Sequence, residues 1–205
     1  STLYFTKDIL LAKTSIGETS KNPNLIALDV QSGQLNEVVK VYEKNNLAII
    51  NNIPLVTMRM HSINGKLVSD LRKDSIKKVR GWILNHEFRT TYRSALIDSE
   101  ELIEGSWIPQ LPPGDPVVIS ISDNLAADAK VGIGDAIVFN VQGVLMETNI
   151  GSIRKVDWGQ LQLNFTIVFP EGVLEQAPQF NVMTTAVPDE AASADLQRDL
   201  VADFP

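Results

Sequence analysis

The chain has 205 residues, 44% of them hydrophobic and 21% charged, with a formal charge of −7. That length allows one large domain or two small ones with a real core. The negative balance, without a long basic run, argues against non-specific nucleic-acid binding and against charge-driven docking on anionic lipid. There is no cysteine, which removes disulfides, thiol catalysis and the common zinc sites. No stretch approaches 18 consecutive apolar residues, so no transmembrane helix is expected. Residues 1–15 lack a separated basic region and apolar core, so no signal peptide is expected, and a first residue of Ser reads as the start of a processed or excised fragment.

In chain order, the spacing of Leu3, Phe5, Ile9, Leu10 and Leu11 predicts a short helix within residues 1–20. Residues 17–23 then read as a loop. Residues 24–30 (N-L-I-A-L-D-V) read as a strand, and residues 31–46 as a helix. Leu35, Val38, Val39 and Tyr42 form its apolar face, Ser32 its N-cap and Asn45-Asn46 its stop. Residues 47–50 and 54–63 are strand-like. In the second, Val56, Met58 and Met60, followed by Ile63, make the apolar side, and Asn64-Gly65 signals a type I′ turn. Strand, helix and strand in succession make an α/β element.

Residues 66–86 hold five Lys or Arg between Lys66 and Lys78, then Arg80, and read as a helix or a loose connection with a solvated basic face. From Glu87 the pattern turns β-rich. Residues 88–96 alternate, 98–104 carry the carboxylates Asp98, Glu100, Glu101 and Glu104, and 106–115 form a loop with three prolines. Residues 116–122 read as a strand and 123–130 as a short helix capped by Ser122 or Asp123. The V-G-I-G-D turn at 131–135 follows. Residues 136–141 and 144–153 then form a hairpin around Gln142-Gly143. A corner at 154–158 (R-K-V-D-W) leads to a strand at 164–169. Pro170-Glu171-Gly172 breaks it, and residues 172–176 suggest a helical turn. A strand at 179–186 and a helix at 190–202, with Leu196, Leu200 and Val201 on one side, close the chain.

Few residues invite a chemical role. His61 and His86 have no metal-ligand or triad spacing, which favours structural or surface roles. V-G-I-G-D holds a G-x-G, but it follows a helix and leads into a strand, the reverse of a dinucleotide-binding turn. Its glycines read as turn residues. Walker A and G-x-S-x-G patterns are absent. The carboxylates of 98–104 read as a solvated loop, with acid–base chemistry as the sharper alternative. At the corner, Asp157 beside Arg154 suggests an ion pair with Trp158 packed over it, a structural joint with recognition as the alternative. A buried indole would make Trp158→Ala cost roughly 3–5 kcal/mol.

The same corner carries a resemblance. R-K-V-D-W (154–158), Asn164-Phe165 and F-P-E-G-V-L (169–174) together resemble the MacB/FtsX-like permeases of ABC transporters, in particular the YbbP-type branch. Two further stretches fit. One is N-L-A-A-D-A-K-V-G-I-G-D-A-I-V-F (124–139), with Val131 where the family often has Leu. The other is N-L-I-A-L-D-V-Q-S-G-Q-L (24–35) with P-L-V-T-M-R-M-H-S-I-N-G (54–65). The resemblance covers roughly residues 24–205.

It implies an α+β extracytoplasmic domain. Residues 1–23 would be a juxtamembrane lead-in, 24–66 and 154–205 a porter-like α/β subdomain, and 67–153 an inserted β-rich sabre-like subdomain. Arg154, Asp157 and Trp158 would be the family-marker joint where the chain returns from the insertion. The implied setting is the periplasmic side of a bacterial inner membrane. The implied partners are a cytoplasmic ATPase subunit reached through the membrane part of the permease, a second permease copy and a periplasmic partner protein, with no nucleic acid. No cofactor, metal or catalytic residue is implied. The implied role is mechanotransmission in the export or extraction of hydrophobic compounds or lipoproteins. The alternative is a free-standing periplasmic hydrolase using the loop carboxylates.

Overall fold

Two apolar clusters, one built mainly from strands and one between strands and helices, organise the chain. The structure is a computed structural model and describes residues 25–73, 79–159 and 163–204. The helix expected within residues 1–20 and the loop at 17–23 lie outside these. The described residues form an α+β fold that divides into two units, one holding the chain up to Leu55 and from Gln179 onward, the other Val56–Pro178.

The first unit is a three-stranded antiparallel sheet with two helices. β1 (Leu25–Gln31) pairs with β10 (Phe180–Thr185), which pairs with the first part of β2 (Ile49–Ile63). The helix expected from residue 31 begins later. A 3-10 turn occupies Ser32–Gln34, and α1 runs Leu35–Lys44. Ser32 is therefore not the cap; its hydroxyl donates to the carbonyl of Gln179 at 3.3 Å. α1 buries Val38, Val41 and Tyr42 against Leu196, Leu200 and Phe204 of the C-terminal segment.

α5 (Glu190–Asp203) starts at Asp189, whose carboxylate accepts from the Ala192 amide at 2.8 Å. Its buried stripe is Leu196 and Leu200, continued by Phe204. Val201, expected on that side, is 61% exposed, because a step of five from Leu196 turns it well away from the i, i+4 line. Asp199 joins the two helices through Lys44 at 3.0 Å and the Asn45 amide at 3.1 Å, and these contacts hold its carboxyl below the usual range.

Tyr42 is fully buried in this cluster, and its hydroxyl has no hydrogen-bond partner among the described residues. A buried, unsatisfied hydroxyl is a net cost. Tyr42→Phe is therefore expected to raise stability by about 1 kcal/mol in urea unfolding; a loss of that size would mean that the hydroxyl is partnered. Burial also pushes the Tyr42 phenol from 10.0 up to about 12. Between these values the unfolded chain has already released a proton that the folded chain retains, so folding stability falls as pH rises through this window. The stability gap between Tyr42→Phe and wild type should therefore widen from pH 10 to pH 12.

The second unit is a closed barrel. Its six strands are the later part of β2, β4 (Phe88–Tyr92), β9 (Ile167–Phe169), β6 (Val118–Ser122), β8 (Val144–Val156) and β7 (Ala136–Val141), the last pairing back to β2. β4–β9 and β6–β8 run parallel and the other four seams antiparallel. Closure fills the interior with alternate side chains of every strand. Val56, Met58 and Met60 of β2 meet Phe88, Ile121, Ile137, Phe139, Ile150 and Phe169 there. The Phe139 and Phe169 rings pack edge to face at 6.2 Å between centroids.

The expected apolar side of residues 54–63 is thus the buried one, but the two strands expected at 47–50 and 54–63 are a single 15-residue strand. β2 turns at Asn64 and Gly65, both at positive φ (46° and 77°), into the short β3 (Lys66–Leu67). Gln142 and Gly143 do the same between β7 and β8 (51° and 100°).

α2 (Val68–Leu71) and α3 (Gly81–Asn85) lie in the basic stretch, whose residues 74–78 are outside the description. α4 (Asp123–Ala129) follows β6, with Trp82 and Arg80 both held by Asp128 (2.9 and 3.1 Å). The unit boundaries fall after Leu55 and after Pro178, whereas the sequence suggested changes after residues 66 and 153. Closure of the barrel accounts for this: β9 sits between β4 and β6, so the chain up to the end of β9 belongs with the strands before it.

Candidate functional site

The corner singled out in the sequence lies at the end of β8. Strand alternation sends Arg154 and Val156 inward and Lys155 outward. Arg154 is 0% exposed, the largest fully buried side chain of the described residues. Its guanidinium is paired with Glu100, not with Asp157 as the sequence suggested: positions 154 and 157 have opposite parity along the strand and cannot share a face. Nε donates to Ser120 Oγ at 2.9 Å, and Nη2 donates to the Phe165 carbonyl at 3.1 Å. Ser152 Oγ donates to the same Ser120 Oγ at 2.7 Å. The other oxygen of Glu100 takes Arg93, at the end of β4.

One carboxylate thus bridges two guanidinium groups, tying β5 (Glu100–Gly105), β8 and the segment after β4. Burial is the larger influence on Arg154. It lowers the guanidinium from its ordinary value to about 10, against the upward pull of Glu100, so the group stays charged at neutral pH.

Asp157 takes another part. Its amide donates to the Ser99 carbonyl at 2.8 Å, and its side chain accepts from the Gly159 amide at 3.0 Å. Asn164 donates to its carbonyl at 3.1 Å and accepts from the Ser99 hydroxyl at 2.6 Å. Ser99, Asp157 and Asn164 therefore clasp the chain on both sides of the corner. Asn164 acts as a side-chain tie, and β9 begins only at Ile167, later than the strand expected from residue 164.

Trp158 is 49% exposed, so the condition for a costly substitution is not met. Trp158→Ala is expected to change folding stability by less than about 1 kcal/mol; a loss above 3 kcal/mol on chemical denaturation would show the indole buried after all.

The carboxylates of 98–104 do not form a solvated loop. Residues 100–105 are the strand β5, and the Glu100 side chain is 0% exposed in its ion pairs. Asp98, Glu101 and Glu104 remain exposed. Acid–base chemistry from this set loses Glu100, which is held by two arginines. His61 is half-buried on β2. His86 is exposed and packs edge-on to Trp82 (5.4 Å) and Phe88 (4.8 Å). Among the described residues no group of three or more His, Asp or Glu is placed to hold a metal.

In the V-G-I-G-D turn only Gly134 takes positive φ (85°). The Gly132 amide donates to Asp135 at 2.8 Å, and the Gly134 amide to the Ile150 carbonyl at 2.7 Å, so the turn fastens α4 to the barrel strands. A cavity of about 10 Å³, lined by Trp107, Ser120, Ser152 and Pro170 among others, is room for a single water. Arg93 and Ser120 were missed from sequence because nothing local marks them: Arg93 falls inside the alternating stretch 88–96, and Ser120 is one serine within a strand.

Beside this geometry stands a sequence relationship to the ABC transporter permeases. The relative is the uncharacterized ABC transporter permease YbbP of Escherichia coli (strain K12), 25% identical over 159 residues. The match covers 78% of this chain and 18% of the relative, so the chain spans under a fifth of that protein's length. The relationship expected from the R-K-V-D-W corner and its companion motifs is therefore found: the chain is a domain related to an ABC transporter permease. No family model matches it. Among solved structures, a crystallised domain of a candidate permease protein from Porphyromonas gingivalis is similar at a TM-score of 0.43 and 11% identity, over 88% of this chain and 84% of that one.

Proposed function

We propose that the chain is the extracytoplasmic domain of an ABC transporter permease subunit, on the periplasmic side of the inner membrane, and that it does no chemistry of its own. It binds a substrate or a partner protein and relays ATP-driven motion. The observation that carries this reading is the relationship to YbbP over most of the chain. It is supported by the architecture, in which a barrel unit interrupts the sequence of a sheet-and-helix unit. In this reading the sheet-and-helix unit is porter-like and the barrel unit sabre-like, and Arg154, Asp157 and Trp158 mark a structural joint. Its partners are a cytoplasmic ATPase subunit acting through the membrane part, a second permease copy and a periplasmic protein. Its cargo is a hydrophobic compound or a lipoprotein. The buried Arg93–Glu100–Arg154 bridge fits a body that moves as a rigid piece, since paired charges fix geometry more than they add stability.

These 205 residues hold no cysteine, so cysteines introduced among them are the only ones in this domain, and the experiment uses a permease and ATPase from which other cysteines have been removed. Labels at the exposed positions Lys40→Cys and Glu147→Cys report one unit each. In the whole permease with its ATPase, in nanodiscs, pulsed electron resonance should show the distance distribution shifting between nucleotide-free and ATP-bound states, within or between copies. Distributions unchanged in both would sink the relay.

A further inference from the structure

β5 pairs with β8 along one side and ends the order of the sheet, so its other side is an open edge among the described residues. An open edge is a row of backbone donors and acceptors that templates another strand. Proteins blunt such edges with charged side chains, above all lysine, with proline, β-bulges or inward-pointing charges, or with a short, covered strand. β5 carries neither lysine nor proline, runs six residues, and exposes Ile103 to 51%; its guards are glutamates and a bulge, and the glutamates repel acidic strands while leaving the edge open to basic ones. The strand is held in place: Glu100 is locked between two arginines, and at its far end the Ser106 amide donates to the Gly151 carbonyl at 3.1 Å. The edge is therefore pre-formed, which lowers the ordering cost of pairing.

We propose that the β5 edge is a docking strand for an extended, basic segment of a partner protein, which adds to the sheet with an apolar residue beside Ile103 and Lys or Arg beside Glu104, Glu101 and Asp98. The side chains choose the occupant. Asp98, Glu101 and Glu104 are all exposed; Lys155 stands opposite Glu101 across the β5–β8 seam and balances part of that charge, leaving the set acidic. A second copy of the chain is disfavoured, because antiparallel pairing of β5 with itself sets glutamates against glutamates. The register shift between Leu102 and Glu104 is a bulge at Ile103, which turns that side chain outward and gives the partner's apolar residue a fixed place. Main-chain bonds supply affinity and alternate side chains specificity, as in strand addition generally. The site does not depend on the transporter reading, and peptide binding to the chain alone tests it whether or not motion is relayed.

The probe is a fluorescent eight-residue peptide of alternating Lys and Val, compared with its Glu/Val counterpart and with a Lys/Val peptide N-methylated at four consecutive central amides, which blocks both edges of the strand. Fluorescence anisotropy should show saturable binding of the first, at least tenfold tighter than of the other two. Amide hydrogen exchange should slow in residues 101–105. Glu101→Lys with Glu104→Lys, both at exposed positions, should weaken binding at least tenfold. Equal binding of the N-methylated peptide would mean charge adsorption without strand pairing and overturn the proposal. So would no binding, protection elsewhere than β5, or sedimentation showing the chain dimerised through this edge.

Discussion

Glu100→Ala is expected to destabilise the barrel unit by about 3–5 kcal/mol, the cost of leaving a buried charge without its partner. Arg154 is 0% exposed and Arg93 is partly buried, with 18% of its side chain exposed; the carboxylate between them is the only acid that either is paired with among the described residues. Its removal leaves two guanidinium groups facing each other in a desolvated place. Glu100→Gln should cost less, because the amide oxygen still accepts one of the two bonds. The double change Glu100→Leu with Arg154→Met should recover much of the loss, since a buried ion pair is often replaceable by apolar side chains of similar volume.

The pH response has a definite sign. Burial brings the folded-state guanidinium of Arg154 down from its ordinary value to about 10, so above pH 10 the unfolded chain holds a proton that the folded chain has lost. This group alone therefore adds stability as pH rises through that window. Without Glu100 the upward pull on Arg154 is gone, and the gain should begin at lower pH. Urea unfolding at pH 7 and at pH 10 measures both effects. A Glu100→Ala midpoint equal to wild type would show that the bridge contributes nothing.

Gly105→Ala is expected to cost about 3–5 kcal/mol, combining a strained backbone with overpacking. Gly105 has φ +78°, a region that L side chains rarely adopt, and an added Cβ would lie 2.1 Å from the Gly151 carbonyl oxygen and 2.9 Å from Ile133 Cδ1. The first neighbour is backbone and has little room to yield. Gly114 is the control. It too has positive φ (+91°), but open space surrounds it. Gly114→Ala should therefore cost only about 1 kcal/mol, the conformational part alone. Equal losses for the two variants would show that the close approach of β5 to β8 is irrelevant and that φ alone matters.

Much of the local structure was legible in the sequence because it rests on local rules. Alternation gave the inward face of β2, Asn64-Gly65 and Gln142-Gly143 gave two turns, and the last helix was placed from residue 190. The long-range parts were not legible. Arg154 was singled out, but its partner lies 54 residues away on a strand that read as a loop. Glu-rich β5 has the composition of a surface turn, and only its pairing with β8 makes it a strand. The barrel escaped notice for the same reason. Two of its six seams are parallel, and no local pattern announces which distant strands will meet. Trp158 misled because a large aromatic beside charges suggests burial, while its place past the end of β8 leaves it half-exposed.

The seam between β4 and β9 sets the order in which this molecule can be made. Thr91 pairs with Val168, and β9 is the strand that lies between β4 and β6. A nascent chain that has emerged as far as the β7–β8 hairpin holds most of the barrel's apolar residues but has no way to close it. The hairpin, formed from neighbouring residues, assembles early; the ring waits for Ile167–Phe169, and the sheet of the other unit waits longer, for Phe180–Thr185. Such late, distant closure makes for slow folding and a prolonged period of exposed strand edges during synthesis.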